Sequence, residues 1–558
     1  MYLKKSQALF NFLGIFCFIG LCIAFPLKII VMMKVLYITF GPRTMIFRYL
    51  VYFLLNIFIL LTLFLINRRR LVWLYYLVAT IYLIVRSIYF MYFNVPFSIS
   101  QSFLMIGESG TLLARQNFIF PLATLLLFAD LPFFIGVVSR MKVLRSKIFH
   151  NSFQTKIIFL ILIIGLIMIH IVAYTNRPLK ILWGDQEVLG PATIVKNFGF
   201  IPYEIIAAYR SFNPIKTSDA KAHYSDNVFL ASNKTKHPNI FCLQLESVDA
   251  AVINLQYNGQ YVMPYLHSLS QKHIYYPFMV SYHGIGGTAD TEFSLINSTL
   301  PTNTQFSMKL DDYPNSIFKR LNSYYETKIF HNNIEEYDNR KVSFPKMGVE
   351  EYIGFRHMKL KEYGWGACDH DVFKYILDML KNKHNPYFYY YITMSSHIPF
   401  TYLPKNVIEH DFDGVKNTSK RHALQAFRYV DRQIQFFINS IDRSNTYFFI
   451  YGDHNVPLAK LNDFPLASII LDGRVMEFVP LIILSPNNQK YREERYAISF
   501  LDMAPTILSL SGIKSSIRTD GMDLLTKPFP INHPDLVTLN GKKYSAGKVY
   551  DLMRKKLD

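Results

Sequence analysis

The chain has 558 residues, 51% of them apolar and 16% aromatic, with 59 Lys and Arg against 40 Asp and Glu for a net charge of +19. That much apolar content excludes a disordered, collagenous or solvating chain, and four cysteines cannot staple a protein of this length. Length predicts about two to four domains, and the basic balance invites a nucleic-acid reading.

The distribution of the charge removes that reading. Residues 1–175 hold sixteen Lys and Arg but only two acids, Glu108 and Asp130, a net of +14. The remaining 383 residues carry only +5. The basic third is also the apolar third, so no nucleic-acid partner is expected. Apolar runs lie at about 9–27, 49–66, 71–93, 118–138 and 157–174. Each is close to the roughly 20 helical residues that cross a bilayer, and a cleavable leader does not explain five of them. Lys4, Lys5, Arg68 to Arg70, Arg140, Lys142, Arg145, Lys147 and Lys156 fall on one side of the alternating spans. The positive-inside rule makes that side cytoplasmic. An odd number of spans then puts everything after 175 on the outer face. Arg86 and Asp130 lie inside spans, where they are costly against lipid. They are expected to pair within the bundle or to line a substrate path.

Residues 176–236 predict an amphipathic juxtamembrane linker of short helices. From 237 the texture becomes α/β. Asn239–Leu245, Tyr387–Met394, Tyr447–Tyr451 and Val479–Ser485 are short, continuous apolar runs, expected as buried parallel strands. Leu424, Phe427, Ile434, Phe437, Ile438 and Ile441 recur at helical spacing and predict a helix over about 420–441. Strands alternating with helices predict a doubly wound, mostly parallel sheet.

In such sheets ligands bind beyond the carboxyl ends of the strands. The first strand runs into Glu246 and Ser247, the second into Ser395, Ser396 and His397, the third into Gly452, Asp453 and His454. Polar residues after a strand are ordinary singly; together these offer a mixed oxygen and nitrogen set suited to a Zn²⁺ or Mn²⁺ class ion. Such an ion does Lewis-acid work on an oxyanion. Residues 284–293 read GIGGTADTEF, in which glycines allow close backbone approach and Thr288 stands where a helix can begin. A hydroxyl there sits in positive potential that favours phosphate. Spacing alone does not separate a nucleophile at Thr288 from a plain helix cap shared with Asp290 or Thr291.

These residues resemble the alkaline-phosphatase/sulfatase superfamily, and within it the lipoteichoic acid synthases and related membrane phosphoglycerol transferases. The shared motifs are Gln244–Ser247 (QLES), Thr288-x-Asp290-x-Glu292-Phe293, His331 with Asn339-Arg340, Ser396-His397-x-Pro399-Phe400, Tyr451–His454 (YGDH) and Asp502-x-x-Pro505-Thr506-Ile507-Leu508. The resemblance implies a five-span membrane domain at 1–175, the linker at 176–236, an extracytoplasmic sulfatase-like catalytic domain at 237–525 and a C-terminal tail at 526–558. It implies Thr288 as nucleophile, with Glu246, Thr288, Asp453 and His454 holding one divalent ion, usually Mn²⁺, with Mg²⁺ and Zn²⁺ as alternatives. His331, Arg340 and His397 would bind phosphate and headgroup, with His397 also able to pass a proton to the leaving alcohol. The implied donor is phosphatidylglycerol, the acceptor a surface glycan or polyglycerophosphate chain, and the location a bacterial cytoplasmic membrane. One departure stands out: Asp338 replaces the family's tryptophan two residues before the arginine, an acid suited to glycerol hydroxyls or to a cationic headgroup.

A phosphoethanolamine transferase is the nearest alternative, although its usual D-H-G-E is Asp453-His454-Asn455-Val456 here. A non-catalytic binding module is the alternative from a different class. A sulfatase proper is not expected, because neither Cys242 nor Cys368 lies in the C-x-P-x-R context that formylglycine formation needs. His267, His273, His283, His357, His370 and His384 read as structural or surface residues, His283 being the one of them able to approach the site.

Overall fold

The structure, a computed structural model, describes residues 2–35, 42–93, 98–99, 122–148, 159–160, 163, 203–205, 207–208, 225–231, 237–282, 287–301, 307–364, 366–381, 383, 386–398, 400–401, 403–404, 407, 410–455, 467–471, 474–525, 536–537 and 543–557. Contacts divide the chain into two compact units, residues 1–105 with 118–211, and residues 106–117 with 212–558.

The first unit is helical: α1 (Tyr2–Val35), α2 (Pro42–Ile66), α3 (Arg69–Phe93), α4 (Leu131–Ser139) and α5 (Met141–Ile148). Phe12–Ile29 and Arg69–Ile88 are the two described segments long and apolar enough to cross a membrane. The run at 118–138 is interrupted, with a 3-10 segment at Leu122–Phe128 and α4 starting after Asp130. The run at 157–174 and most of the 176–236 linker lie outside the described residues. The bundle packs Leu60, Phe64, Val72, Phe134 and Val137 inside while leaving Phe12, Phe16, Ile19, Leu74, Val78 and Ile81 exposed. An apolar outer surface of that extent marks an apolar neighbour. The two charges inside the runs do not pair with each other. Asp130 meets Lys28 Nζ at 3.0 Å and accepts from Tyr76, while Lys28 also donates to Thr80. Arg86 Nη1 meets Glu204 Oε1 at 2.9 Å.

The second unit is built on one sheet of ten strands. Its principal strands are β1 (Asn239–Leu245), β2 (Ile274–Ser281), β3 (Glu326–His331), β4 (Glu351–Ile353), β5 (Tyr387–Ile392), β6 (Thr446–Gly452), β7 (Ser468–Leu471) and β8 (Arg474–Leu484). Across the sheet the order is β2, β8, β6, β1, β5, β3, β4, with β7 hairpinned onto β8. β6, β1, β5, β3 and β4 are mutually parallel. The sheet is nonetheless mixed. The run at Val479–Ser485, expected as a parallel strand, lies in β8 and pairs antiparallel with both β6 and β2. A continuous apolar run reports burial of both faces, not strand direction. β1 illustrates that burial: Phe241, Leu243 and Leu245 enter one core, Ile240 and Cys242 the other.

Because β8 alone is reversed, β2, β6, β1, β5 and β3 all end at the same edge of the sheet. The helices that matter for that edge are α6 (Thr288–Asn297), α7 (Arg340–Lys346), α8 (Asp369–Leu380) and α9 (Thr418–Asn439). α9 buries Leu424, Phe427, Ile434, Phe437 and Ile438 as its spacing predicts, and ends before Ile441. Within 526–558, α10 (Ala546–Leu557) packs Ala546, Val549, Tyr550 and Met553 against Phe278, Tyr282 and Phe478.

Candidate active site at the carboxyl edge of the sheet

Each strand that ends at this edge delivers one part of the site. β1 delivers Glu246, β6 delivers Asp453 and His454, and α6, following β2, begins with Thr288. The structure brings these four together. Thr288 Oγ1 lies 3.3 Å from Glu246 Oε2 and 3.1 Å from His454 Nε2. His454 Nε2 is 3.5 Å from Glu246 Oε1 and 3.5 Å from Asp453 Oδ2. One ligand atom each from Glu246, Asp453 and His454 fall within 4.8 Å of one another.

The local backbone explains the convergence. Gly452 ends β6 where a Cβ would stand 1.8 Å from the Val248 carbonyl oxygen. Only glycine lets the segment after β1 pass so closely over the end of β6. Gly452→Ala is expected to destabilise the domain by about 1–3 kcal/mol through overpacking, read as a lower midpoint in thermal unfolding. Ser247 adopts φ 61° and turns the chain so that its N–H donates to Asp453 Oδ1 at 2.7 Å, while its hydroxyl donates to Glu246 Oε1 at 2.6 Å. Gly287, φ 54°, precedes α6 with open space where a Cβ would be. Thr288 makes no capping bond, so its hydroxyl is directed to the carboxylate and imidazole rather than to its own helix. Gly284, Gly286 and His283 lie outside the described residues.

The electrostatics fit a cation. Burial pushes the Asp453 carboxyl up, reinforced by the charge of Glu246. Burial also opposes ionisation of Glu246, but the neighbouring His397 and His454 outweigh it and hold that carboxyl down. Burial works against a charged His454, yet Asp453 and Glu246 raise it to about 9. Two buried carboxylates thus converge on one imidazole, an arrangement whose mutual repulsion a bound cation would relieve. Asp453 Oδ1 accepts from Ser247 and His454 backbone N–H groups, but buried Asp453 Oδ2 accepts from no described residue. An orphaned acceptor facing a second carboxylate and an imidazole is the donor set of a divalent metal site.

The remaining expected residues stand nearby in a second cluster. His331 ends β3, is buried, and shares a hydrogen bond of 3.0 Å between Nδ1 and the Ile392 carbonyl. Burial, with Arg340 and His397 adding, holds it far below the usual imidazole range, so it is neutral. His397 Nδ1 is 2.6 Å from the Ile398 carbonyl oxygen. Arg340 begins α7, and its fork is engaged: Nε and Nη2 donate to Glu292 at 2.9 and 2.6 Å, and Nη2 lies 3.1 Å from Asp338 Oδ2. Asp338 and Asn339 both take positive φ, 54° and 59°, the turn that carries the acid back onto Arg340.

Several supporting residues were not apparent from the sequence. Asp369, at the head of α8, accepts from Asn332, Tyr391 and the Met394 and Ser395 amides. It thereby pins the segment leading to His397. Ser396 donates to the Glu246 carbonyl and Thr393 accepts from the Glu246 amide. Among the other histidines, His357 is exposed, His370 pairs with Gln433, and His267 stacks on Tyr261, none of them at the site. Cys242 is wholly buried in β1.

A threonine hydroxyl beside an Asp-His-Glu cluster at the carboxyl edge of such a sheet resembles the site of the alkaline-phosphatase/sulfatase class. Residues 238–513 match the sulfatase family model. Lipoteichoic acid synthase of Staphylococcus saprophyticus is 28% identical over 345 residues, covering 57% of this chain and 52% of that protein. Lipoteichoic acid synthase 2 of Bacillus subtilis is 26% identical over 360 residues, covering 59% and 54%. The chain is thus similar to the sulfatase family over 238–513 and to lipoteichoic acid synthases over somewhat more than half of its length. It spans about half the length of these curated relatives. Among solved structures, the integral membrane lipooligosaccharide phosphoethanolamine transferase A of Neisseria meningitidis shares the fold over 91% of this chain and 96% of its own, with a TM-score of 0.54 at 14% identity.

Proposed function

We propose that this chain is a metal-dependent phosphotransferase that moves glycerophosphate from phosphatidylglycerol to a cell-surface glycan or polyglycerophosphate acceptor. The observation that carries the reading is the Thr288 hydroxyl, free of capping duty and 3.3 and 3.1 Å from Glu246 and His454. Glu246, Thr288, Asp453 and His454 would hold one divalent ion, Mn²⁺ by resemblance. When bound, that ion supplies a lowered pKa for the hydroxyl and polarisation of a phosphoryl oxygen. Thr288 Oγ1, after releasing its proton to water, would form a bond to phosphorus as the bond to the diacylglycerol oxygen breaks, and His397 would protonate that oxygen. His331, Asp338, Arg340 and His397 receive the phosphate and headgroup. An acceptor hydroxyl, giving its proton to the now neutral His397, would then bond to phosphorus as the phosphothreonine bond breaks, and Thr288 would recover a proton from water.

Five spans in 1–175, the linker at 176–236 and an external catalytic domain at 237–525 remain our reading of the organisation. Support comes from the two membrane-length segments and the apolar outer face of the helical unit, with the alternating basic loops. Holding the site beside a lipid donor raises its effective concentration.

The test is intact-protein and peptide mass spectrometry after incubation with Mn²⁺ and phosphatidylglycerol. A glycerophosphate adduct on Thr288 is expected. An adduct of phosphoethanolamine mass, obtained with phosphatidylethanolamine instead, selects the other transferase, a reading that the acidic Asp338 beside Arg340 favours. No adduct with either lipid selects the binding module.

A further inference from the structure

The guanidinium of Arg340 is committed along one edge before any substrate arrives. Nε and Nη2 form a two-point contact with Glu292, both side chains essentially fully buried at 1% and 0% exposure. The Tyr337 ring lies 5.8 Å from the guanidinium carbon. Nη1 is buried too and donates to no described residue. A buried N–H left unpaired is costly, so one kept in a defined direction marks a seat for an acceptor. Glu292 belongs to α6 and follows Thr288 by four residues, about one helical turn. One rigid element therefore carries both the nucleophile and the acid that orients the arginine.

We infer that Glu292 is a positioning residue, locking Arg340 to the helix of Thr288 so that Nη1 alone is presented to a phosphoryl oxygen of the bound phosphodiester headgroup. This rests on the proposed phosphotransfer and deepens it. A two-point contact fixes the guanidinium plane, which a single contact leaves free to rotate. The distance from attacking oxygen to the free Nη1 is then set by α6 instead of by a flexible loop, which is the condition for efficient in-line attack. The phosphoryl group accordingly receives one arginine nitrogen, Nη1, and not a two-nitrogen fork.

The experiment compares the full chain in detergent with Glu292→Gln, Glu292→Asp, Arg340→Gln and the double variant Glu292→Gln/Arg340→Gln. It measures the single-turnover rate of glycerophosphate adduct formation on Thr288 against phosphatidylglycerol concentration, together with the thermal midpoint. Glu292→Asp keeps the charges balanced but shortens the reach, and the double variant replaces the ion pair with a neutral pair of similar volume. The expected result is that Glu292→Gln and Glu292→Asp each slow the maximal rate per folded molecule by about tenfold or more. The double variant is expected to be no slower than Arg340→Gln alone, because the acid acts through the arginine. Should Glu292→Gln fail to fold, Glu292→Asp and the double variant carry the comparison. Wild-type rates per folded molecule in Glu292→Asp, or losses that multiply in the double variant, overturn the inference while leaving the phosphotransfer intact. If the wild-type chain forms no adduct, the phosphotransfer reading fails with it.

Discussion

Thr288→Ala is expected to abolish transfer, with a loss of roughly 10⁴-fold or more, the scale on which removal of a covalent nucleophile registers. The fold should persist. Thr288 is partly exposed at the first turn of α6, caps nothing, and belongs to neither core. Its hydroxyl is engaged only by Glu246 and His454 among the described residues. The checks are turnover with phosphatidylglycerol, the adduct mass and the thermal midpoint. A variant that keeps substantial turnover would show that Thr288 is a helix-terminal residue and not the attacking group.

Asp453→Asn is expected to separate metal binding from folding. Asn retains the Oδ1 acceptor used by the Ser247 and His454 amides at 2.7 Å each. It replaces Oδ2, buried and without a donor, by an amide group carrying no charge. In the wild-type chain, titrating Mn²⁺ should raise the unfolding midpoint, since a ligand at 100 times its Kd stabilises by about 2.7 kcal/mol. In Asp453→Asn that rise should largely vanish and transfer should stop. The metal-free variant should be no less stable than metal-free wild type, because one of two buried like charges is gone. A full Mn²⁺-dependent rise in the variant would place the ion elsewhere.

How much of this was legible in the sequence varies with what each residue must do. Glu246, Asp453 and His454 could be read because each follows a short apolar run, and parallel neighbours bring such ends to one edge. The direction of β8 could not be read: Val479, Leu481 and Ile483 face one core and Ile482 and Leu484 the other, as in a parallel strand. Only its pairing with β6 and β2 distinguishes the two. Thr288 was legible as a helix start but ambiguous in role, and the distances to Glu246 and His454 remove the capping explanation. Arg340 was expected to bind phosphate, with no partner of its own foreseen. Its partner Glu292 lies 48 residues away, on the buried side of a helix, where nothing local signals an ion pair. The role of Asp369 was hidden for the same reason, because the backbone groups it holds come from segments 25 and more residues downstream.

The Lys28–Asp130 pair bears on how the helical unit is made. Lys28 is synthesised 102 residues before its partner, an interval of about 5–20 s at 5–20 residues per second. Throughout that interval α1 carries an ammonium whose eventual counter-charge does not yet exist, at a cost of about 2.5–3.5 kcal/mol if held at mid-bilayer. Emergence of the segment around Asp130 supplies the carboxylate, and Tyr76 and Thr80 from α3 complete its shell. The ion pair that ties α1 to the start of α4 can therefore form only once the segment around residue 130 has been made.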